Sequence, residues 1–99
     1  MTSAHWKNER LIREELIKRI GIGKKVAEFV VDRGHKNGAE RHVITTTGII
    51  VIFNARTNKL VTMLIARPNQ IRRYYEDGRA PAEVIEIAKE HQAMGYNNI

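Results

Sequence analysis

The sequence contains no cysteine, which excludes a disulfide framework and any chemistry that runs through a thiolate. It also lacks an apolar run near the length of about 18 residues that a membrane-spanning helix needs. Glu9, Glu14 and Glu15 fall among the N-terminal bases, where a signal peptide would carry its apolar core. These absences predict a cytoplasmic protein. His5, His35, His42 and His91 show no i, i+4 pair and no carboxylate spacing of the kind zinc sites use. The acids are scattered and offer no pair for glycosidase or magnesium chemistry. Gly21-Ile22-Gly23-Lys24-Lys25 has glycines and lysines but neither the preceding strand nor the spacing of a phosphate-binding loop. No metal and no cofactor is implied.

What the chain has in excess is positive charge, +6 over 99 residues, distributed unevenly. Residues 1–25 carry seven Lys or Arg against three acids and residues 56–79 carry six against two, whereas the last twenty carry one against three. A basic front and middle predict a surface facing a polyanion, RNA before DNA. At 42% hydrophobic residues, the chain predicts a single domain, 1–99, with one core.

Three runs rich in Val, Ile and Thr, Arg41 to Thr47, Ile49 to Asn54 and Lys59 to Ala66, predict three strands. Their breaks, Thr47-Gly48 and Ala55-Arg56-Thr57-Asn58, are short enough to force antiparallel neighbours. Upstream, Leu11, Ile12, Leu16, Ile17 and Ile20 form one stripe at helical period, with Ser3 as cap and Gly21 as stop. Val26, Ala27, Phe29 and Val30 predict a second, shorter helix ending at Gly34, before a connector His35-Lys36-Asn37-Gly38. A helix from Asn69 to Glu76 follows Pro68 and closes at Gly78. Pro81 opens a last helix carrying Val84, Ile87, Ala88 and His91 on one stripe up to Gly95. The expected class is α+β: two N-terminal helices, a three-stranded antiparallel meander, and one or two C-terminal helices. Because Ile49, Val51 and Phe53 alternate with Ile50 and Ile52, both faces of the central strand should be covered at least in part.

With Thr47-Gly48 as a two-residue turn, Ile44 pairs with Val51 and His42 with Phe53. That register puts His42, Ile44, Thr46, Val51, Phe53, Leu60 and Thr62 on one face, and Arg41, Asn54, Lys59 and Arg67 on the other. A one-residue slip reverses this. A histidine and a threonine on one sheet face, near arginines, suit a metal-independent ribonuclease, which needs a base, a cation for the phosphoryl oxygens and an acid. His42 is the candidate base, since imidazole exchanges protons near neutral pH; His35 is the competing choice. A half-buried strand histidine is the plainer reading of His42. Thr62 is the candidate hydroxyl donor. Arg67, at a strand end beside Pro68, presents a fork suited to phosphate. Gln70, Arg72, Arg73, Tyr74 and Tyr75 follow on the next helix, where bases interleaved with aromatics suit backbone contact and base stacking.

The run Gly48 to Asn54, the turn to Asn58-Lys59, then Leu60-Val61-Thr62-Met63 and Ala66-Arg67-Pro68 resembles the strand, turn and threonine-bearing strand of small RNase toxins of the barnase, EndoU, colicin and RelE superfamily. The resemblance covers about a third of the chain. It implies helices preceding an antiparallel sheet, a toxin or phage-encoded context and a small acidic inhibitor or antitoxin as partner. It also implies a functional set of His42, Arg41 or Arg67, Thr62 and Gln70. The expected function is therefore an RNA-directed endoribonuclease acting through the 2'-hydroxyl. The alternatives are a non-catalytic nucleic-acid-binding or regulatory module, with Arg41, Gln70, Arg72, Arg73 and Tyr74 holding RNA, and an interaction domain that uses an exposed edge from Leu60 to Ala66.

Overall fold

The computed structural model describes residues 13–32, 34 and 38–95. A helix, α1, occupies residues 13–20 of the described part. Four strands follow: β1 (Lys25–Val31), β2 (Glu40–Thr45), β3 (Ile49–Asn54) and β4 (Leu60–Ile65). Two helices, α2 (Pro68–Glu76) and α3 (Val84–Ala93), complete the order. The strands form one antiparallel sheet in chain order, β1-β2-β3-β4, so β1 and β4 are its edges among the described residues. The class is α+β, as expected. The expected Ser3 cap, His5 and the connector residues His35, Lys36 and Asn37 lie outside the described residues.

The second expected helix is instead strand β1. Val26, Ala27, Phe29 and Val30 satisfy helical spacing, but a seven-residue run with three valines between turn glycines suits a pleated strand better. A fourth strand also widens a sheet that would otherwise leave β2 as an edge. The last helix starts later than Pro81: Val84 and Ile85 donate their amides to the carbonyls of Pro81 and Ala82 in a tight lead-in turn.

Register differs from the expected one by a single residue, and the cause is the turn. The Gly48 amide donates to the Thr45 carbonyl at 3.0 Å with Gly48 at φ +79°, which makes Thr46-Thr47-Gly48 a three-residue connection. His42 then opposes Ile52, Ile44 opposes Ile50 and Arg41 opposes Phe53. Phe53 opposes Leu60 as expected, but an extra residue in β4 puts Thr62 opposite Ile52. Thus His42 and Thr62 do share a face, and Val51 and Phe53 move to the other one.

Both faces of β3 are covered. Ile44, Ile50 and Ile52 pack against Ile71 of α2 and Val84, Ile87 and Ala88 of α3. On the opposite face, Val43, Ile49 and Val51 pack against Leu16, Ile17 and Ile20 of α1. Ile44, Ile49, Ile50, Ile71 and Val84 are fully buried, and truncating one such side chain to alanine costs about 2–5 kcal/mol. Gly21 ends α1 with φ +81° and its amide on the Ile17 carbonyl.

Of three consecutive threonines, Thr45 closes the β2–β3 turn on itself, and Thr46 and Thr47 stitch that turn to the linker after α1. Thr45 Oγ1 accepts from the Ile49 amide, Thr46 Oγ1 accepts from the Lys24 amide, and the Thr47 hydroxyl points between the Gly21 and Ile22 carbonyls. His91 reaches the same turn from α3. Its Nδ1 lies 2.7 Å from the Ala66 carbonyl and its Nε2 3.0 Å from the Thr47 carbonyl.

Candidate functional site

His42 is 5% exposed. Its ring stacks on Phe29 of β1 at 5.6 Å, and Phe29 in turn meets Tyr74 of α2 at 4.9 Å. Nε2 lies 3.4 Å from Glu40 Oε1, while Nδ1 is buried with no hydrogen-bond partner among the described residues. Thr62 is half-buried, and Ile52 stands between it and His42. Two inter-strand spacings put the pair about 10 Å apart across the sheet. A base must come within hydrogen-bond reach of the proton it takes, and this imidazole is buried against Phe29.

Arg67, the third member of the expected set, is exposed at the N-cap of α2 with extended backbone, φ −79° and ψ 148°. It stands past the end of β4 and does not join His42. Gln70 is occupied with structure: its Oε1 accepts from the Arg67 amide at 3.4 Å, and its Nε2 donates to the Tyr74 hydroxyl at 3.1 Å. Arg72 donates to Gln92 Oε1 at 2.7 Å and so ties α2 to α3. Arg41 lies on the α1 face of the sheet, where it donates to Glu28 and Asn58 and covers the Phe53 ring at 4.4 Å. Arg73 is exposed in the last turn of α2, and Tyr75 is 42% exposed beside it.

No protein-family model, curated protein or solved structure matches the chain.

The cation that the sequence pattern does not single out is Arg79. Helix α2 ends in a left-handed Gly78, φ +76°, with the Gly78 amide on the Tyr75 carbonyl and the Arg79 amide on the Tyr74 carbonyl. That double closure is the geometry glycine permits at a helix end, and it fixes where Arg79 leaves the helix. Its guanidinium sits 5.4 Å over the Phe29 ring. Gly78-Arg79 in a basic segment is the available sequence signal. Arg67, Arg73 and Arg79 are thus exposed along and beyond α2, on the side of the sheet that holds the half-buried Phe29 and Tyr74. Glu76 and Asp77 are exposed in the same stretch. Among the described residues no group of three or more His, Asp or Glu could hold a metal ion. No helix among them is long and apolar enough to cross a membrane.

Proposed function

We propose that the protein is an RNA-directed binding module rather than an endoribonuclease. The observation that carries this reading is the contrast between a buried histidine and exposed arginines: His42 lies under Phe29 at 5% exposure, whereas Arg67, Arg73 and Arg79 are exposed residues. Exposed guanidinium groups meet phosphate oxygens in pairs of parallel hydrogen bonds. Tyr75 adds a partly exposed ring on which an unpaired base can stack. Arg79 over Phe29 offers a second platform of the same kind. Affinity in such a module is spread over several cations, so no single residue is decisive.

The test is binding to a short single-stranded RNA over a range of salt concentrations, together with prolonged incubation in excess chelator. Arg67→Ala, Arg73→Ala and Arg79→Ala should each weaken binding and flatten the log–log salt slope by roughly one for every phosphate that is no longer neutralised. The RNA should remain intact. Discrete cuts with 2',3'-cyclic phosphate ends that vanish in His42→Ala would restore the endoribonuclease reading, and absence of any salt-dependent binding would remove both.

A further inference from the structure

Among the described residues strand β4 is an edge of the sheet, pairing with β3 alone. Its register shows which of its backbone groups face outward. The Ala66 amide bonds to the Gly48 carbonyl, so the pairs Leu64 with Ile50 and Thr62 with Ile52 also exchange hydrogen bonds. The alternating residues Met63 and Ile65 therefore aim their N–H and C=O groups away from β3, toward the open side. Unpaired edge groups of this kind are templates for another strand.

Beside that edge lies a groove of about 680 Å³ between β4 and one side of α1. Ile17, Ile22, Leu60 and Val61 line its apolar part, and three of these are exposed for their type: Ile22 at 47%, Leu60 at 55% and Val61 at 53%. Arg13 and Lys18 line it from α1, with Glu14 the one acid among the lining residues. Lys59 and Arg67, both exposed, flank the ends of the strand. The place is apolar along its floor and cationic around it.

We infer that β4 and this groove take an extended, acidic and apolar segment of a partner protein, which adds a fifth strand to the sheet. Main-chain bonds at Met63 and Ile65 supply register, and alternate side chains of the incoming strand reach the α1 side. There, apolar groups meet Ile17 and Val61 while carboxylates meet Arg13 and Lys18. A second copy of this chain fits worse: antiparallel self-pairing centred on Met63 sets Lys59 of one copy opposite Arg67 of the other, and like charges opposite each other are unfavourable. The chain's own residues 1–12 also fit worse by charge, since they hold Lys7 and Arg10 against Glu9. A small amphiphile would leave the row of backbone groups unpaired.

The probe is a peptide of about ten residues with Val and Glu taking turns at every second position and Thr between them, so that one face carries both, titrated into the 99-residue chain and followed by backbone amide NMR. Shifts should concentrate at Val61, Met63, Ile65 and residues 13–18, and a matching Lys–Val peptide should bind at least tenfold more weakly. Lys18→Glu, on an exposed position that leaves the fold intact, should reverse that preference. Equal binding of both peptides overturns the proposal. So do shifts confined to α2, concentration-dependent shifts at β4 without peptide, or contacts from residues 1–12 to β4 that the peptide does not displace. RNA affinity is the internal control, because Arg73→Ala and Arg79→Ala, neither of them near the groove, should together weaken RNA binding and leave the Lys18→Glu effect in place.

Discussion

His42 and His91 are buried to nearly the same degree, 5% and 3% exposed, yet only His91 is held at both ring nitrogens. The His91 ring bridges the Thr47 carbonyl in the β2–β3 turn and the Ala66 carbonyl where β4 leads into α2. A neutral imidazole has a single N–H, so it donates to one of these two carbonyls at a time. His42 offers one nitrogen to Glu40 at 3.4 Å and leaves the other with no partner among the described residues. The difference teaches that a buried histidine is not by itself a sign of chemistry: one of these two is a clamp, and the other occupies a place an apolar side chain would fill.

The sharpest way to break the comparison acts on the clamp. A Cβ at Gly48 would lie 2.2 Å from His91 Cε1 and Nε2, and Gly48 sits at φ +79°. Gly48→Ala combines backbone strain of about 1–2 kcal/mol with expulsion of the ring, so a loss of about 3–5 kcal/mol is expected in urea unfolding. Combined with His91→Ala it should cost less than the two single losses added together, because the clash partner is gone. Strict additivity would separate the glycine from the clamp. His91→Leu alone should cost about 2–4 kcal/mol, since it leaves a buried carbonyl at Ala66 without that donor; a change below about 1 kcal/mol would show that the clamp holds nothing.

Smaller effects sharpen the other side. Arg41, one residue from His42 but on the opposite face, holds Glu28 at 3.1 Å and covers Phe53. Arg41→Ala should lose about 1 kcal/mol, as expected of a partly exposed ion pair that also covers a ring. His42→Leu should change stability by less than about 1 kcal/mol in either direction, the forfeited ring stacking being offset by removal of an unsatisfied nitrogen. A loss of more than about 2 kcal/mol would mean that Nδ1 has a partner and that His42 belongs with His91.

Strands β2 to β4 and helix α2 were legible in the sequence because Val, Ile and Thr runs, Pro68 and Gly78 leave little choice of local structure. The helical reading of β1 failed because Val26, Ala27, Phe29 and Val30 fit both periods, and only the density of β-branched residues decides between them. Register was missed through one glycine: placing Gly48 second in a two-residue turn instead of third in a three-residue one reassigns every side chain on β3. The candidate site was less legible than the fold. His42, Thr62 and Arg67 each have the right chemistry, but the Phe29 stack, the Ile52 spacer and the position of Arg67 past the strand are tertiary facts. The stripe of the last helix marked His91 as inward-facing, but its partners, 25 and 44 positions away, left no local signal.

The sequential order of the sheet has a kinetic consequence. Each strand pairs with the one that precedes it in the chain, so the sheet can zip from hairpin to hairpin with short loop closures, the cheapest entropic route to a β structure. Helix α3, the last described element, then delivers His91 to a turn laid down 44 residues earlier. A contact that closes a loop of 44 residues is entropically costly before the sheet is formed and is expected on the downhill side of the folding barrier. His91→Leu should therefore speed unfolding and leave the refolding rate nearly unchanged, making the C-terminal histidine a determinant of how long the native state lasts rather than of how fast it forms.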